Sequence, residues 1–192
     1  MSDTIRFRKI NEIEKQIILT SISNISTELP RIIENLKKFF YVSLEKSITR
    51  IKSPKIFFIS KEQDKILQSL YPDNIFSTGL YFGFIKKGKF YLSLEGAEFL
   101  YKNNKISTIK RLQVSDAAEK SILYGKNILK NMITELPPNL KNNDFLLIFN
   151  NINELIAIGR SYIDKDSFQN LKPSELVAFN LNDKGYYLRI SQ

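Results

Sequence analysis

Residues 118–130 read AEKSILYGKNILK, a run in which a helical pattern gives way to an extended one. Ser115-Asp116 precedes the run and is predicted to open the helix, with Asp116 and Glu119 capping its start reciprocally. Gly125 is predicted to end the helix, because glycine adopts the left-handed C′ conformation at little steric cost. The sequence therefore predicts a short capped helix followed by an extended segment at residues 126–133.

Short strands separated by turns surround that helix. Residues 106–114 are predicted to be extended, and four further strands are predicted at 144–150, 154–161, 176–181 and 186–190. Short strands at such turn-separated spacing are typical of a small β barrel.

The first hundred residues alternate helical and strand patterns. Helices are predicted at residues 12–22, from Pro30 onward, at 61–70 and at 95–101. We expect the second helix to carry Phe39 and Phe40 on its inner face, and the third, capped by Ser60, to bury Ile66, Leu67 and Leu70.

Strands in this half are predicted at residues 42–51 and 55–60, and a hairpin joins residues 80–85 to 90–94. Its turn, Lys86-Lys87-Gly88-Lys89, either contacts phosphate or keeps an exposed hairpin soluble, and both interpretations stay open. Polar residues 102–105 follow the last helix, so a domain boundary is predicted between residues 104 and 105.

The composition excludes much enzyme chemistry. Of 192 residues, 29 are Lys or Arg and 20 are Asp or Glu, which gives a net charge of +9, and there is no Cys or His. Thiolate zinc sites, disulfides and imidazole catalysis are therefore excluded, while the basic surplus favours polyanionic partners. No stretch has the apolar character of a signal peptide or a membrane span, so we expect no membrane association and a cytoplasmic location, or a nucleolar or nuclear one in a eukaryote.

The helix, Gly125 and the Ile128-Leu129-Lys130 motif, followed by the Ile158-Gly159 strand, resemble the PUA domain. Residues 77–90, STGLYFGFIKKGKF, resemble the hairpin of the Nip-seven family of large-subunit ribosome-biogenesis factors. Lys172-Pro173 and residues 185–189 resemble the closing strands of the same family. The resemblance implies an α+β protein with an N-terminal α/β domain of antiparallel strands and helices (1–104), then a C-terminal PUA-type β pseudobarrel (105–192).

The resemblance also implies a function. It is that of a non-catalytic factor in pre-rRNA processing and large-subunit assembly, binding U-rich or pre-ribosomal RNA through the PUA domain. The N-terminal domain would bind ribosome-assembly proteins or the pre-large-subunit particle. No catalytic residue, metal or cofactor is expected, and a monomer is favoured. The alternatives are a PUA-containing RNA-modification enzyme or accessory subunit, and a protein-interaction adaptor.

Basic residues are unevenly distributed along the chain. Residues 1–105 hold 18 basic and 11 acidic side chains, and residues 106–192 hold 11 and 9, but residues 106–133 alone have a net charge of +3. We therefore expect Lys126, Lys130 and Arg160 to converge on one basic patch of the barrel. The candidate RNA-binding residues are Lys110, Arg111, Lys120, Tyr124, Gly125, Lys126, Lys130, Gly159, Arg160, Lys165 and Lys172.

The candidates have different expected roles. Lys and Arg neutralise phosphates, and Arg160 supplies a planar fork for them. Gly159 either lets RNA approach the backbone closely or marks a bend in the barrel. Tyr124 and Tyr162 either stack on bases or are half-buried with a solvated hydroxyl. Each lysine taken singly is equally explained as solvated surface.

Overall fold

A computed structural model of the chain describes residues 4–36, 39–46, 53–70, 75, 77–103 and 109–190. The chain forms two compact units, Met1–Ser107 and Thr108–Gln192. The boundary predicted between residues 104 and 105 lies outside the described residues, as does the end of the strand predicted at 42–51. Within the described ranges, no helix is long and apolar enough to cross a membrane.

The first unit combines helices with an antiparallel sheet. Its elements are β1 (Thr4–Lys9), α1 (Glu12–Ser23), α2 (Leu29–Leu36), β2 (Phe40–Lys46), β3 (Lys55–Phe58), α3 (Lys61–Ser69), β4 (Leu80–Lys86), β5 (Lys89–Leu92) and α4 (Leu94–Lys102). The strands lie in chain order across the sheet, and β4 and β5 form the predicted hairpin. All four neighbouring pairs are antiparallel, and β4 and β5 are joined by a tight turn, which only antiparallel strands allow.

Two details of this unit differ from the sequence prediction. Phe40 lies in β2, opposite Phe58 and 4.9 Å from the ring of Phe82, and not on the second helix, which ends at Leu36. An apolar pair suits a buried strand as well as a helix face, so periodicity alone did not separate the two.

The third helix begins after the expected Ser60 N-cap, whose hydroxyl accepts a hydrogen bond from the Gln63 amide. However, Ile66 and Leu70 are 58% and 51% exposed, whereas Leu67 packs against a buried cluster. The prediction of three inward-facing residues was therefore wrong, because α3 lies on the sheet through a narrower stripe than its apolar residues suggest.

The second unit is a curled six-stranded sheet with a helix over it. Its elements are β6 (Lys110–Val114), α5 (Asp116–Leu123), β7 (Ile128–Leu129), β8 (Ile133–Glu135), β9 (Phe145–Phe149), β10 (Leu155–Ser161), β11 (Leu176–Asp183) and α6 (Tyr186–Ile190). The strand order is β7-β11-β10-β9-β6-β8, with β6 and β9 parallel and the other pairs antiparallel. Its core contains Leu112, Ile122, Ile148 and Val177. The predicted α+β class with a PUA-type pseudobarrel is confirmed.

Helix α5 ends as predicted. Gly125 has φ +82°, its N–H donates to the Ile122 carbonyl (2.8 Å), and the Lys126 N–H donates to the Ser121 carbonyl (3.1 Å). This pair of bonds is the Schellman motif, in which a left-handed glycine satisfies the last carbonyls of a helix.

The predicted reciprocal cap at the start of α5 does not form. Ser115 is the N-cap, so the third helical position is Ala118, and Glu119 lies one residue too far along for a capping box. The two carboxylates instead accept hydrogen bonds from the turn between β9 and β10: Asp116 from Asn151 (2.8 Å) and Glu119 from Asn150 (3.3 Å).

The last predicted strand, at residues 186–190, is the helix α6. The N–H groups of Leu188 and Arg189 both donate to the carbonyl of Gly185, at 3.1 and 3.3 Å. Aromatic residues such as Tyr186 and Tyr187 are common in strands, but both lie in this helical turn with their side chains about half exposed. The three preceding strands are confirmed.

Candidate nucleic-acid interface

Strands β10 and β11 place Arg160 directly opposite Phe179. The next pair is Ser161 and Ala178, and Ala178 belongs to the core of the unit. Because side chains alternate along a strand, Arg160 and Phe179 both face away from that core. The Arg160 guanidinium lies near the carbonyl of Asn143, with Nη1 donating at 3.3 Å, a length that holds it weakly.

Tyr162 completes an aromatic pair beside Arg160. Its ring centroid lies 5.5 Å from that of Phe179, with the two planes 77° apart. The side chains are 54% and 39% exposed. An edge-to-face pair of exposed rings leaves a ring face open for stacking, which is the contact that unpaired bases make with proteins.

Two turns bring lysines to the same end of β10. The Asn142 amide donates to Asp164 Oδ1 and the Lys165 amide donates to the Leu140 carbonyl, each at 2.9 Å. The exposed Lys141 and Lys165 therefore flank the end of the strand, with exposed Asp164 and Asp166 beside them. We call the surface formed by Lys141, Arg160, Tyr162, Lys165 and Phe179 the Arg160 patch.

A second group of candidates lies at the end of α5. It consists of Lys120, Tyr124, Gly125 and Lys126, all exposed, with Tyr124 64% exposed. The Asn180 amide donates to the carbonyls of Ile122 (2.9 Å) and Lys126 (3.3 Å), so Asn180 faces α5. Its neighbour Phe179 faces the other way. Lys126 and Arg160 thus lie on opposite sides of β11, and the expectation of a single converging patch was wrong.

The Lys130 side chain is bound within the unit. Its ammonium donates to the carbonyls of Gln169 (3.0 Å) and Leu171 (2.7 Å) and lies 5.3 Å from the centre of the Phe168 ring. These contacts anchor the 3₁₀ segment Lys165–Asn170 that precedes β11. Lys130 therefore stabilises that segment, and its ammonium group is bound within the unit.

Lys110 and Arg111 are also engaged. The Lys110 ammonium forms an ion pair with Asp144 and donates to the Asn139 carbonyl. Arg111 lies 4.3 Å from the centre of the Phe149 ring and donates to Asn153 Oδ1 at 3.1 Å. The charge of Lys110 is therefore matched by Asp144, and the guanidinium of Arg111 is held by a ring and an amide oxygen.

Gly159 is buried, so the first interpretation of this glycine, a close approach by RNA, was wrong. A Cβ at this position would lie 2.9 Å from both Ile148 Cδ1 and the Phe179 carbonyl oxygen. The ladder to β11 also shifts register between Ile158 and Gly159. Glycine is required here for a bend and a close strand approach, as the alternative interpretation stated.

Two residues of the Arg160 patch were absent from the sequence-based candidates. Phe179 was predicted only as part of the strand at 176–181, although period-two alternation with Ala178 was a signal that it faces outward. Lys141 lies 19 positions from Arg160 in the chain, and no local pattern joins them. Lys172 is exposed, and its backbone amide donates to Glu175 Oε2 at 2.7 Å.

No group of three or more His, Cys, Asp or Glu side chains able to hold a metal ion occurs among the residues that the structure describes. The exposed groups of the Arg160 patch are instead cationic and aromatic side chains. An antiparallel α/β unit followed by a pseudobarrel with an outward-facing basic and aromatic patch defines a protein of the PUA class.

Family comparisons place the chain within that class. The pre-PUA domain of NIP7/UPF0113 matches residues 7–94, and the UPF0113 PUA domain matches residues 110–192. The chain belongs to the NIP7/UPF0113 family, and the family resemblance drawn from the sequence is confirmed.

Curated relatives carry names that describe ribosome assembly. The chain is 28% identical over 141 residues to the 60S ribosome subunit biogenesis protein NIP7 homolog of Dictyostelium discoideum, covering 73% of this chain and 76% of the relative. It is 24% identical over 143 residues to 60S ribosome subunit biogenesis protein NIP7 of Saccharomyces cerevisiae, covering 74% and 77%. A UPF0113 protein of Archaeoglobus fulgidus is 28% identical over 135 residues, covering 70% and 72%.

Solved structures share the fold at low sequence identity. A hypothetical protein of Pyrococcus horikoshii OT3 superposes with a TM-score of 0.59 at 12% identity, covering 97% of this chain and 99% of that one. A PUA domain from Aeropyrum pernix K1 gives 0.62 at 12% identity, covering 95% and 88%. At this identity the likeness is one of fold.

Proposed function

We propose that this protein is a non-catalytic assembly factor of the large ribosomal subunit that binds RNA through the Arg160 patch of its PUA unit. Two kinds of evidence support the proposal: its relatives are named as 60S ribosome subunit biogenesis proteins, and the PUA unit presents cations beside exposed rings. The ligand is U-rich or pre-ribosomal RNA, bound without any change in its covalent structure.

The observation that carries the proposal is the ladder position of Arg160 opposite Phe179, with Tyr162 against the same ring. Arg160, Lys141 and Lys165 neutralise phosphates, and the rings accept unstacked bases. Asp164 and Asp166 reduce the local positive charge, so stacking supplies a larger share of the affinity than at a purely basic surface. This arrangement suits single-stranded RNA.

The first unit is assigned to protein contacts within the pre-large-subunit particle, and the protein acts there as a monomer. Its place of work is the nucleolus of a eukaryotic cell or the cytoplasm of a prokaryotic one. An RNA-modifying enzyme is disfavoured because the curated relatives are named as ribosome biogenesis proteins.

The direct test is binding of the purified full chain to labelled poly-U across a range of salt concentrations. We expect the logarithm of the affinity to fall linearly with the logarithm of salt, with a slope of about −0.7 for each phosphate contacted. An affinity that does not change with salt would contradict the proposal. Pull-down of pre-60S particles by the wild-type chain, with loss by an Arg160→Gln/Tyr162→Ala variant, tests the cellular role.

The group at the end of α5 is the second candidate for the RNA contact, because Tyr124 and Lys126 are exposed together beside Gly125. A Lys120→Gln/Lys126→Gln variant separates the two surfaces. Unchanged binding by this variant supports the Arg160 patch. Loss of RNA binding in this variant, with normal binding by the Arg160→Gln/Tyr162→Ala variant, would place the site at the end of α5.

A further inference from the structure

The β4–β5 hairpin of the first unit has one fully outward face. Lys86 pairs with Lys89 and Phe84 pairs with Tyr91 across the two strands. The alternate residues Ile85, Phe90 and Leu92 are buried, so the first set points away from the core. With Lys87 at the turn, we call the residues Phe84, Lys86, Lys87, Lys89 and Tyr91 the hairpin face.

Three unmatched cations cluster at the tip of this face. Lys86, Lys87 and Lys89 are all exposed, and within the described part of the chain none of them makes an ion pair. Like charges directly opposite each other on paired strands destabilise the pair. An arrangement that repels itself in the free protein gains stability when an anion lies between the ammonium groups.

Protection of the sheet edge does not explain these lysines. Strand β5 is the edge of the sheet, and edge lysines commonly prevent a second chain from pairing there. This edge is already covered by α1, because the Phe90 amide donates to the hydroxyl of Ser21 at 2.8 Å. The hairpin therefore does not need lysines to prevent edge pairing, and edge protection does not explain why Lys86 and Lys89 lie opposite each other.

An aromatic residue lies next to the cations on the same face. Tyr91 is 43% exposed and stacks on Phe84, with ring centroids 5.1 Å apart and planes 11° from parallel. The stack orients the Tyr91 ring, and its remaining exposed surface is available to a planar ligand. Lysines beside an exposed, oriented ring are the elements with which proteins bind single-stranded nucleic acid.

We propose that the hairpin face is a second RNA-binding site, in which Lys86, Lys87 and Lys89 contact phosphates of a single-stranded segment and Tyr91 stacks on a base. The ligand chemistry follows from the combination: an acidic peptide would pair with the ammonium groups but would leave the oriented Tyr91 ring without a partner. This site is separate from the Arg160 patch and does not depend on it. It gives the more basic half of the chain a share in RNA binding.

The test compares two lysine pairs of the full chain that carry the same charge. Lys87→Gln/Lys89→Gln removes two cations from the hairpin face, and Lys61→Gln/Lys65→Gln removes two exposed lysines from α3 of the same unit. Binding of labelled poly-U is measured across salt concentrations. We expect the hairpin variant to lose affinity and its salt slope to become shallower by about 1.4, for two lost phosphate contacts. The control slope stays close to wild type.

The stacking contact is tested separately with Tyr91→Leu, which keeps an apolar residue on the strand. We expect weaker binding with an unchanged salt slope, because the lost contact is not ionic. Photo-crosslinking of poly-U to the wild-type chain, followed by trypsin, is expected to label the peptide of residues 90–102. Far-ultraviolet circular dichroism and melting curves of every variant check that the fold is retained.

Equal behaviour of the two lysine pairs, with crosslinks confined to residues 108–192, would overturn the inference. Unchanged RNA binding by the hairpin variant combined with loss of a pre-60S protein partner would also overturn it, in favour of an acidic protein ligand. An Arg160→Gln/Tyr162→Ala variant is measured in parallel. If that variant binds normally while the hairpin variant does not, the Arg160 patch is wrong and the hairpin site stands.

Discussion

Arg189 donates two hydrogen bonds to the buried carboxylate of Asp183, from Nη1 to Oδ1 and from Nη2 to Oδ2, each 2.9 Å long. Nη1 also donates to the carbonyl of Leu123, the last residue of α5. The hydrogen bonds to Asp183 raise the pKa of Arg189, so its guanidinium stays charged. Through these hydrogen bonds Arg189 links α6 to the end of α5, beside the turn at Gly125.

Arg189→Ala is expected to destabilise the second unit, because it leaves the buried Asp183 carboxylate without its cation. We expect the melting temperature to fall by several degrees, measured by circular dichroism. Adding Asp183→Asn to this variant is expected to restore part of the loss, since it removes the uncompensated charge. Lys172→Ala, an exposed change in the same unit, serves as the control. A melting temperature equal to that of the control would show that the pair adds no stability.

Gly125→Ala is expected to cost about 1–2 kcal/mol of unfolding free energy, because a Cβ is unfavourable at positive φ. The added Cβ would also lie 3.2 Å from Arg189 Nη2, which donates to Asp183. Gly125→Asn is the matched comparison, since asparagine tolerates the left-handed region better than alanine. Urea denaturation measures both variants. An alanine variant as stable as the asparagine one would contradict the conformational explanation.

Lys130→Ala is expected to reduce stability without changing how RNA binding depends on salt. The Lys130 ammonium donates to two carbonyls of the segment before β11, and hydrogen bonds from a charged donor contribute about 1.5–3 kcal/mol. Because its charge is already engaged, loss of Lys130 leaves the salt slope as in the wild type. Lys165→Gln is expected to show the reverse, with near-normal stability and a shallower slope. A shallower slope for Lys130→Ala would return this residue to the RNA contact.

The Arg160 patch predicts separable effects of its cation and its ring. Arg160→Gln is expected to make the salt slope shallower by about 0.7, for one phosphate contact. Tyr162→Ala is expected to weaken poly-U binding by about 1–3 kcal/mol with the slope retained, as for loss of one stacked base. Tyr187→Ala, at the same 54% exposure but on α6, is the control. Equal losses for the two tyrosines would argue against stacking at Tyr162.

A buried hydroxyl and a carboxylate couple the stability of the first unit to pH. Tyr41 Oη donates to Asp64 Oδ1 at 2.6 Å, and Asp64 also lies 3.1 Å from the Lys9 ammonium. The hydrogen bond from Tyr41 lowers the pKa of Asp64, with Lys9 adding to the shift. Burial, and then the hydrogen bond to Asp64, raises the pKa of Tyr41.

The pKa shifts of Asp64 and Tyr41 limit the stability of the first unit at low and at high pH respectively. The contribution of Asp64 is present above the unfolded pKa of about 3.9 and is lost as pH falls through the lower folded value. The contribution of Tyr41 is present below the unfolded pKa of about 10 and is lost as pH rises through the higher folded value. Stability from this pair is therefore greatest between the two limits.

Tyr41→Phe is expected to lose about 1 kcal/mol at neutral pH, since one hydrogen bond to a partly solvated carboxylate disappears. The difference from wild type is expected to shrink below the folded pKa of Asp64 and above a pH of about 10. Urea denaturation at acidic, neutral and alkaline pH measures it, with Tyr91→Phe, a change on an exposed ring, as the control. A difference that is constant across pH would show that the pair is not linked to protonation.

Local patterns predicted most of the elements. The helix stop at Gly125, the Ser60 cap and the Lys87-Gly88 hairpin all follow from the conformational preferences of one or a few neighbouring residues. The errors arose where distant contacts outweighed those preferences. Residues 186–190 have strand-like residues, yet Arg189 is held by Asp183 and Leu123, and the segment closes as a helix.

The candidate site was less accessible to sequence reasoning. Gly159 and Lys110 were selected for residue type, but the first is buried between strands and the second is paired with Asp144, 34 positions away. Lys141 and Phe179 were missed because their nearness to Arg160 depends on two turns and a strand register. Charge counts identify how many cations a unit has, and not which of them are free.

The sequence by itself determined the class of the protein: a mixed α+β chain of the NIP7/UPF0113 family, basic and lacking thiol and imidazole groups. These properties depend on residue identity and short-range periodicity, which any chain displays before it folds. Only the tertiary structure decided which side of β11 each candidate occupies and which ammonium groups are bound by carbonyls or carboxylates. Those outcomes depend on contacts between residues far apart in the chain. Strand register determines on which face of the sheet a side chain lies, and the packing around a charged side chain determines which groups bind it.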